Sequence, residues 1–497
     1  MYKIKKETPH KQIMQPDGGK SVQTVFHVSE ELMPGDDSYE KLVNISKNEN
    51  VFHHIAALTD IHSKKGRKNP TGSVVATEKA IMPQLNDSAP NCGMRMIKTP
   101  FSKEDLTEEK IDCLFRELAK AVPTKTFLGS FLDLRTILDI SAKGVSPLLD
   151  KIGKDKAELD NILLRGNMFG KQEIGDEDLF QALPKLFFRI AQARLGILGA
   201  AGNHFLDLLL VEDILDKPKA EKLGLSKDQY VMLMHTGSGM FGQYASYFYM
   251  PKKKEHLSQK MVYGLGRKMF LKNNADWHKR LKYDLPQYEE KDEFFTIEEG
   301  SELAKNFMVA HNAAANHGFA NRALLQTKIE EAVEKTLGWK KNLPVVYDMS
   351  HISIMKEKHF DKNVWVHRNG SVRAFGPERM RGVKIYEETG EPIFVPSSMS
   401  TPAYLGAATD ENESTFFSAP HGTGKAKDKT SEVPENRKQL IEKMQKRKVR
   451  LYNGSSKGII HQDASHYKNI EPAIEGMKEN KVMKPVAKMR PIAVLMA

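Results

Sequence analysis

The sequence predicts an α+β fold, and three features of its patterning carry that prediction. Residues 1–100 alternate short apolar runs with turn residues, as in "HIAALTDIHSKKGRKNPTGSVVAT" and "APNCGMRMIKT", which read as strands and loops. Residues 101–200 look mainly helical, because "TEEKIDCLFRELAKAV" and "LFQALPKLFFRIAQARL" repeat apolar residues every three to four positions. From about 203 strand-like runs return, followed by a long helical section and a closing set of strands. Strands and helices grouped in blocks, without regular βαβ alternation, favour α+β over a doubly wound sheet.

The returning strands are "HFLDLLLVEDI" and "QYVMLMHTGSG". The helical section 297–337 contains "GSELAKNFMVAHNAAANHGFANRALL", and the runs "LPVVYDMSH", "NVWVHRNGSVRAF" and "EPIFVPSS" read as strands after it. The tail "KPVAKMRPIAVLMA" reads as a final strand. Residues 425–450 hold ten Lys/Arg against four Asp/Glu, much of it an amphipathic helix with Leu440, Ile441 and Met444 as its buried stripe. There is no internal repeat, low-complexity block or obvious linker, so 1–497 is expected to form one large domain.

Composition narrows the function classes. A 40% hydrophobic, 8% aromatic chain of 497 residues is that of a soluble globular protein. "MYKIKKETPH" lacks the apolar core of a signal peptide, and no run approaches membrane-spanning length. Two cysteines cannot build a disulfide framework, so a reducing, cytoplasmic setting without a membrane partner is expected. The net charge of +11 suits a polyanionic partner such as nucleic acid or phosphates, although many basic proteins bind neither.

Chemistry is concentrated in a few segments. Cys113 falls on a predicted helix among Ile111, Leu114 and Phe115 and is expected to be a small core residue. Cys92, in "LNDSAPNCGMRM", lies in a turn where packing residue, nucleophile and metal ligand all remain open. His204, His235, His351 and His421 each end a strand-like apolar run and enter a polar or Gly-rich turn, where sheet proteins place ligands and catalytic groups. Neutral imidazoles and a thiolate suit Mn, Fe, Co or Zn, yet no CxxC or HExxH spacing links these residues. "HTGSGMFG" (235–242) and "HGTGK" (421–425) offer successive backbone N–H groups for phosphate, or serve as ordinary tight turns. Asn316 and Arg322, in "NHGFANR", either reach a phosphate or cap and pair within a helix; "SSMST" (397–401) offers hydroxyl donors or a plain loop.

Taken in order, these segments resemble the RtcB RNA ligase family over nearly the whole chain. "ALTDIHSKKGRKNPTGSVVAT" is similar to the family's early D-x-H, Gly-rich segment, "NCGMRM" to N-C-G-V-R, and "GNHFLD" to G-N-H-F-L-E. "HTGSGMFG" resembles H-T/S-G-S-R-G-L-G, "AAANHGFANR" resembles A-A-x-N-F-A-x-A-N-R, and "YDMSH" resembles Y-D-x-x-H-N. "VHRNGSVRAF", "VPSSMST", "HGTGK" and "VAKMRPIAVLMA" continue the match in the correct order. The resemblance implies packed β-sheets flanked by helices around a central metal and GMP site. It implies a ligase that joins RNA 3′-phosphate or 2′,3′-cyclic phosphate ends to 5′-hydroxyl ends with GTP and one or two Mn2+ ions, in RNA repair or tRNA splicing.

By that resemblance His421 would be the nucleophile that carries GMP, and Cys92, His204, His235 and His351 the metal ligands. Asn203, Asp207, Ser397, Ser398, Met399, Thr401, Gly422, Gly424 and Lys425 would hold the nucleotide. Asn316, Arg322 and Arg368 would hold RNA ends, and an activating helper protein is a further partner to test for. The chain also departs from the pattern. The expected acidic ligand three residues before the cysteine is Ala89, with Asp87 as the nearest replacement. A phosphate-binding arginine is Gly239, and Asn369 stands where the family has lysine. The guanine-contacting acid is shortened to Asp207, and the C-terminal Lys-Gly is Met496-Ala497. Two alternatives therefore stand beside the ligase: a paralogue that binds RNA ends without sealing them, and a metal-dependent phosphoesterase.

Overall fold

The apolar runs pair into two large sheets in a computed structural model of the chain, which describes residues 2–17, 21–86, 89–124, 132–199, 203–250, 261, 293–453 and 458–497. The first sheet has seven strands, in the order Tyr2–Thr8, Lys11–Pro16, Gln23–Phe26, Val51–His62, Thr71–Thr77, Lys362–Asn369 and Ile352–His359. The path of the second runs Val345–Ser350, Gly93–Ser102, Gln229–Thr236, Phe205–Ile214, Met483–Met496, Ala403–Ala408 and Pro392–Val395. A short strand, Arg450–Asn453, adds in parallel alongside Met483–Met496. The order is mixed and mostly antiparallel, the α+β arrangement that the blockwise patterning predicts.

His351 is the single residue between the last strand residue of one sheet, Ser350, and the first of the other, Ile352. Its backbone is fixed on both sides. Its N–H donates to Cys92 O at 2.9 Å, and its carbonyl accepts from Gly370 N at 2.9 Å and Ser371 N at 3.1 Å. The crossing point of the two sheets is thus where the turn of Cys92 and the Gly370–Ser371 turn meet.

A helix of 36 residues, Glu302–Leu337, packs across the second sheet. Ser301 caps it by accepting from Ala304 N at 3.1 Å, and Gly338, left-handed at φ 72°, ends it. Its residues from Leu303 to Ala323 join one apolar cluster, and Leu325, Ile329, Ala332 and Val333 join a second. Small residues such as Ala313, Ala314, Ala315 and Gly318 let the neighbouring loops approach its backbone closely. The segment 101–200 is mainly helical as predicted, with helices Glu108–Ala121, Leu134–Lys143, Ser146–Lys151, Asp176–Ala182 and Lys185–Arg194.

Several expectations change. Cys113 is exposed and not a core residue: the helix turns Ile111, Leu114 and Phe115 inward and leaves Cys113 on the outer face. "HTGSGMFG" is not a simple phosphate turn, because Gly239 opens a helix, Gly239–Tyr249. His204 precedes its strand, Phe205–Ile214, instead of ending one. The basic helix covers Arg437–Lys446 and buries Leu440 and Met444, with Ile441 only half-buried. Asp87 lies outside the described residues.

Candidate active site

Cys92 is placed by a tightly built turn. Asn91 takes a left-handed conformation, φ 52°, which Asn tolerates better than most residues. Its N–H donates to Ile352 O at 2.9 Å and its side-chain amide to Ala315 O at 2.7 Å. Three glycines hold the turn from outside. A Cβ on Gly93 would lie 2.0 Å from Met349 O, one on Gly237 2.6 Å from Cys92 Cα, and one on Gly318 2.5 Å from Asn91 O. Only glycine allows backbones this close.

Around Cys92 the three predicted histidine ligands converge. Its Sγ is 3.4 Å from His204 Nε2 and 3.4 Å from His235 Nε2, and His235 Nε2 is 3.0 Å from His351 Nε2. Donor atoms of Cys92, His235 and His351 all fall within 4.8 Å of one another. The other ring nitrogens set the tautomers: His204 Nδ1–H donates to Leu198 O at 2.9 Å and His235 Nδ1–H to Asn203 O at 3.0 Å. Each leaves an Nε2 lone pair directed at the cluster. Burial lowers His204 to about 4 and holds His235 and His351 well below the ordinary histidine range, so all three rings are neutral near pH 7.

This donor set fits a divalent transition metal. Three imidazole nitrogens and a sulfur converge within hydrogen-bonding distance of one another, and neutral imidazoles with a thiolate are the donors such a cation takes. His351 Nδ1 is buried without a hydrogen-bond partner, so its ring is held in the cluster through Nε2 alone.

His421 stands beside the cluster, its ring stacked on His351 with centroids 4.3 Å apart. It follows the short strand Ser418–Pro420, which pairs with Ser371–Arg373. Its Nδ1 is 2.7 Å from Asp60 Oδ2 and 2.6 Å from Gly370 O. Both partners accept, so Nδ1 carries a proton. Asp60 is fully buried at the far end of Val51–His62. The sequence reading did not single out Asp60, although it is the acid of the quoted D-x-H segment; without the fold, nothing ties it to a histidine 361 positions later.

A cavity of about 700 Å3 opens onto His421 and His235. Asn203, Asp207, Ser397, Ser398, Met399, Gly422, Gly424 and Lys425, the residues expected to hold a nucleotide, line it. Thr401 does not: its Oγ1 accepts from Ser398 N at 2.9 Å and shapes the turn from behind. The lining also includes His62, Lys64, Phe205, Thr423, Tyr467, Val494 and Met496, which the sequence reading did not assign. Lys425 sits over the Tyr467 ring at 3.6 Å and donates to His461 O. Burial, and then Lys429, lower it to about 7.

The three residues expected to hold RNA ends are placed in the interior, and their surroundings give the reason. Arg322 is fully buried; its Nε donates to Asp348 Oδ1 at 2.8 Å, Nη1 to Thr236 O at 2.8 Å, and Nη2 to Asn91 Oδ1 at 2.8 Å. Arg368 is buried in a bidentate pair with Glu357, at 2.6 and 2.8 Å, and donates to Ser418 Oγ at 2.8 Å. Asn316 accepts from Met168 N at 2.8 Å and donates to Ser141 O at 3.1 Å. These side chains brace the turn of Cys92, the strand before His421 and the helix, and they offer no surface to RNA.

The family model described as "tRNA-splicing ligase RtcB" matches residues 41–497. The tRNA-splicing ligase RtcB of Methanococcus maripaludis is 29% identical over 478 residues, covering 93% of this chain and 91% of that protein. Those of Pyrobaculum aerophilum and Nanoarchaeum equitans are 28% and 26% identical, covering 94% and 96% of this chain and 92% and 96% of their own lengths. Among the described residues, no helix is long and apolar enough to cross a membrane.

Proposed function

The chain belongs to the RtcB family, and on that premise we propose that it is an RNA ligase of tRNA splicing or RNA repair that works through a nucleotidyl–histidine intermediate on His421. The observation that carries this reading is the His421–Asp60 pair, with His421 lining the cavity and stacked on His351 of the Cys/His cluster. An imidazole whose Nδ1–H is held by a buried carboxylate presents Nε2 as a nucleophile near neutral pH.

The first step is attack of Nε2 on the α-phosphorus of GTP. A P–N bond forms, the bond from the α-phosphorus to its bridging oxygen breaks, and pyrophosphate leaves. Asp60 stabilises the positive charge that develops on the ring. The nucleotide then passes to the RNA 3′-phosphate, and attack by the 5′-hydroxyl seals the strand and releases GMP. Cys92, His204, His235 and His351 would hold Mn2+, which supplies Lewis-acid stabilisation of the phosphate charge. Gly422–Gly424, Ser397 and Ser398 line the cavity, and their backbone N–H groups and hydroxyls would bind phosphates. Ser397 and Thr423 hydroxyls bond each other at 2.8 Å and join the two turns.

RNA with 3′-phosphate and 5′-hydroxyl ends would meet the exposed Lys427, Lys429, Lys438, Lys446 and Lys448, on and around the basic helix and the 421–425 turn. A cytoplasmic setting fits such a substrate. The test is incubation with α-labelled GTP and Mn2+: a covalent label on the wild-type chain and none on His421→Ala supports the reading. Failure to form an adduct with any nucleotide and any divalent metal overturns it.

A further inference from the structure

Asp60 sits where its strand has parted from its neighbours. Val51–His62 pairs with Gln23–Phe26 only as far as Ala57. On its other side Ala57 stands opposite Ser73 and His62 opposite Thr71, so residues 58–61 face Gly72 alone. In such a bulge the carbonyls lose their regular partners. Side chains take them here. His62 Nδ1–H donates to Asp60 O at 2.7 Å, and the Lys468 ammonium donates to Thr59 O and Ile61 O, both at 2.9 Å.

Lys468 is 5% exposed, and a buried ammonium is costly to keep. Burial disfavours its charge and Asp60 favours it. Its backbone reaches the other half of the His421–Asp60 pair. Lys468 N donates to Gly424 O at 3.1 Å, Ala426 N donates to His466 O at 3.0 Å, and Tyr467 bridges Lys425. Residues 466–468 are thus paired with the turn that follows His421, while the Lys468 side chain grips the bulge that bears Asp60. Bulge and turn are packed without slack: a Cβ on Gly424 would lie 2.4 Å from Asp60 O, and one on Gly72 2.5 Å from Asp60 Oδ1. Oδ1 has no hydrogen-bond partner, so among the described residues the contact of Oδ2 with His421 is the only one that holds the carboxylate. The backbone must set its direction.

We propose that Lys468 is the positioning residue of the His421–Asp60 pair: it holds the carbonyls on either side of Asp60 while its backbone is paired with the turn after His421. This rests on His421 being the nucleotidyl acceptor proposed above, and it adds what aligns that residue. Lys468 is not among the residues that line the cavity, so its removal should change the rate of transfer and not the binding of nucleotide.

The test is single-turnover labelling of the full chain with α-labelled GTP and Mn2+. Lys468→Met should slow labelling by about 10–100-fold, with the half-saturating GTP concentration within about threefold of wild type. The same substitution in an Asp60→Ala background, where no carboxylate is left to position, should slow labelling by less than about threefold. A purely structural role would slow both backgrounds equally, and that result overturns the proposal. Should Lys468→Met fail to fold, the same cycle is run with Lys468→Arg, which keeps the cation but changes its reach; about tenfold slowing is expected in the wild-type background and less than about threefold in Asp60→Ala. A second readout needs no transfer. The Nδ1–H proton of His421, assigned in the downfield proton spectrum by its absence from His421→Ala, should be lost or shifted upfield in Lys468→Met. An unchanged resonance in the folded variant overturns the proposal. If the resonance is lost but the wild type takes no label from any nucleotide, the positioning role stands and the transferase reading falls.

Discussion

Asp60 and His421 are 361 positions apart in the chain, yet Asp60 Oδ2 lies 2.7 Å from His421 Nδ1. The carboxylate fixes the tautomer of the proposed nucleophile and balances the charge it gains on attack. Asp60→Asn should slow adduct formation by about 10²–10⁴-fold while nucleotide binding changes far less. Single-turnover labelling alongside a binding measurement separates the two. Equal labelling rates in wild type and variant would remove Asp60 from the mechanism.

The glycine clamp around Cys92 gives a second expectation. Gly237→Ala places a methyl 2.6 Å from Cys92 Cα, so the thiol must shift. Mn2+ affinity should fall by about 10-fold or more, by analogy with the loss of groups that orient metal ligands. Titration of Mn2+ monitored by electron paramagnetic resonance would show it. Gly66→Ala, where a Cβ meets nothing within 4 Å, is the control, although its φ of +76° makes it mildly strained.

Asp348 lies between two buried arginines, accepting from Arg95 Nε at 2.7 Å and Arg322 Nε at 2.8 Å. Asp348→Ala leaves Arg322 without its carboxylate and Arg95 with Glu158 alone, and should cost about 3–5 kcal/mol of stability, read by chemical denaturation. Arg322 itself has no exposed surface, so Arg322→Lys should show its effect in stability and metal binding. An unchanged fold with weakened RNA affinity alone would instead make it an RNA contact.

Acid should destabilise the protein before its carboxylates titrate. His27 and His54 are buried, both bond Ser414 O, and burial lowers each to about 4. Unfolded, each titrates near the ordinary histidine value of about 6.5. Between pH 6.5 and 4 the unfolded chain therefore binds more protons. Stability is full above that window and is lost as the pH falls through it, by about 2 kcal/mol per ring between pH 7 and pH 5. Thermal melts across this range should show the loss, and His54→Gln should flatten it.

Much of this was legible in the sequence, for reasons that differ by residue. Strands such as Gln229–Thr236 and the helix Glu302–Leu337 announce themselves through local periodicity. The motif order brought Cys92, His204, His235, His351 and His421 into one reading, and the structure gathers all five. Asp60 was invisible because its partner is distant in the chain. Arg322 and Arg368 were misplaced because a cation in a polar motif reads the same whether it faces solvent or a buried acid. Only the positions of Asp348 and Glu357 distinguish the two cases. Cys113 shows the finer limit: its neighbours are apolar, yet the helical face decides which of them turn inward.

The central claim is that His421 carries the nucleotide. Intact-mass analysis of the full chain after incubation with Mn2+ and a purine nucleoside triphosphate tests it most directly. The account predicts a single nucleotidyl adduct that maps to the peptide containing His421, is labile to acid and disappears in His421→Ala. An adduct that persists in His421→Ala, or maps to Lys425 or Cys92, would contradict it.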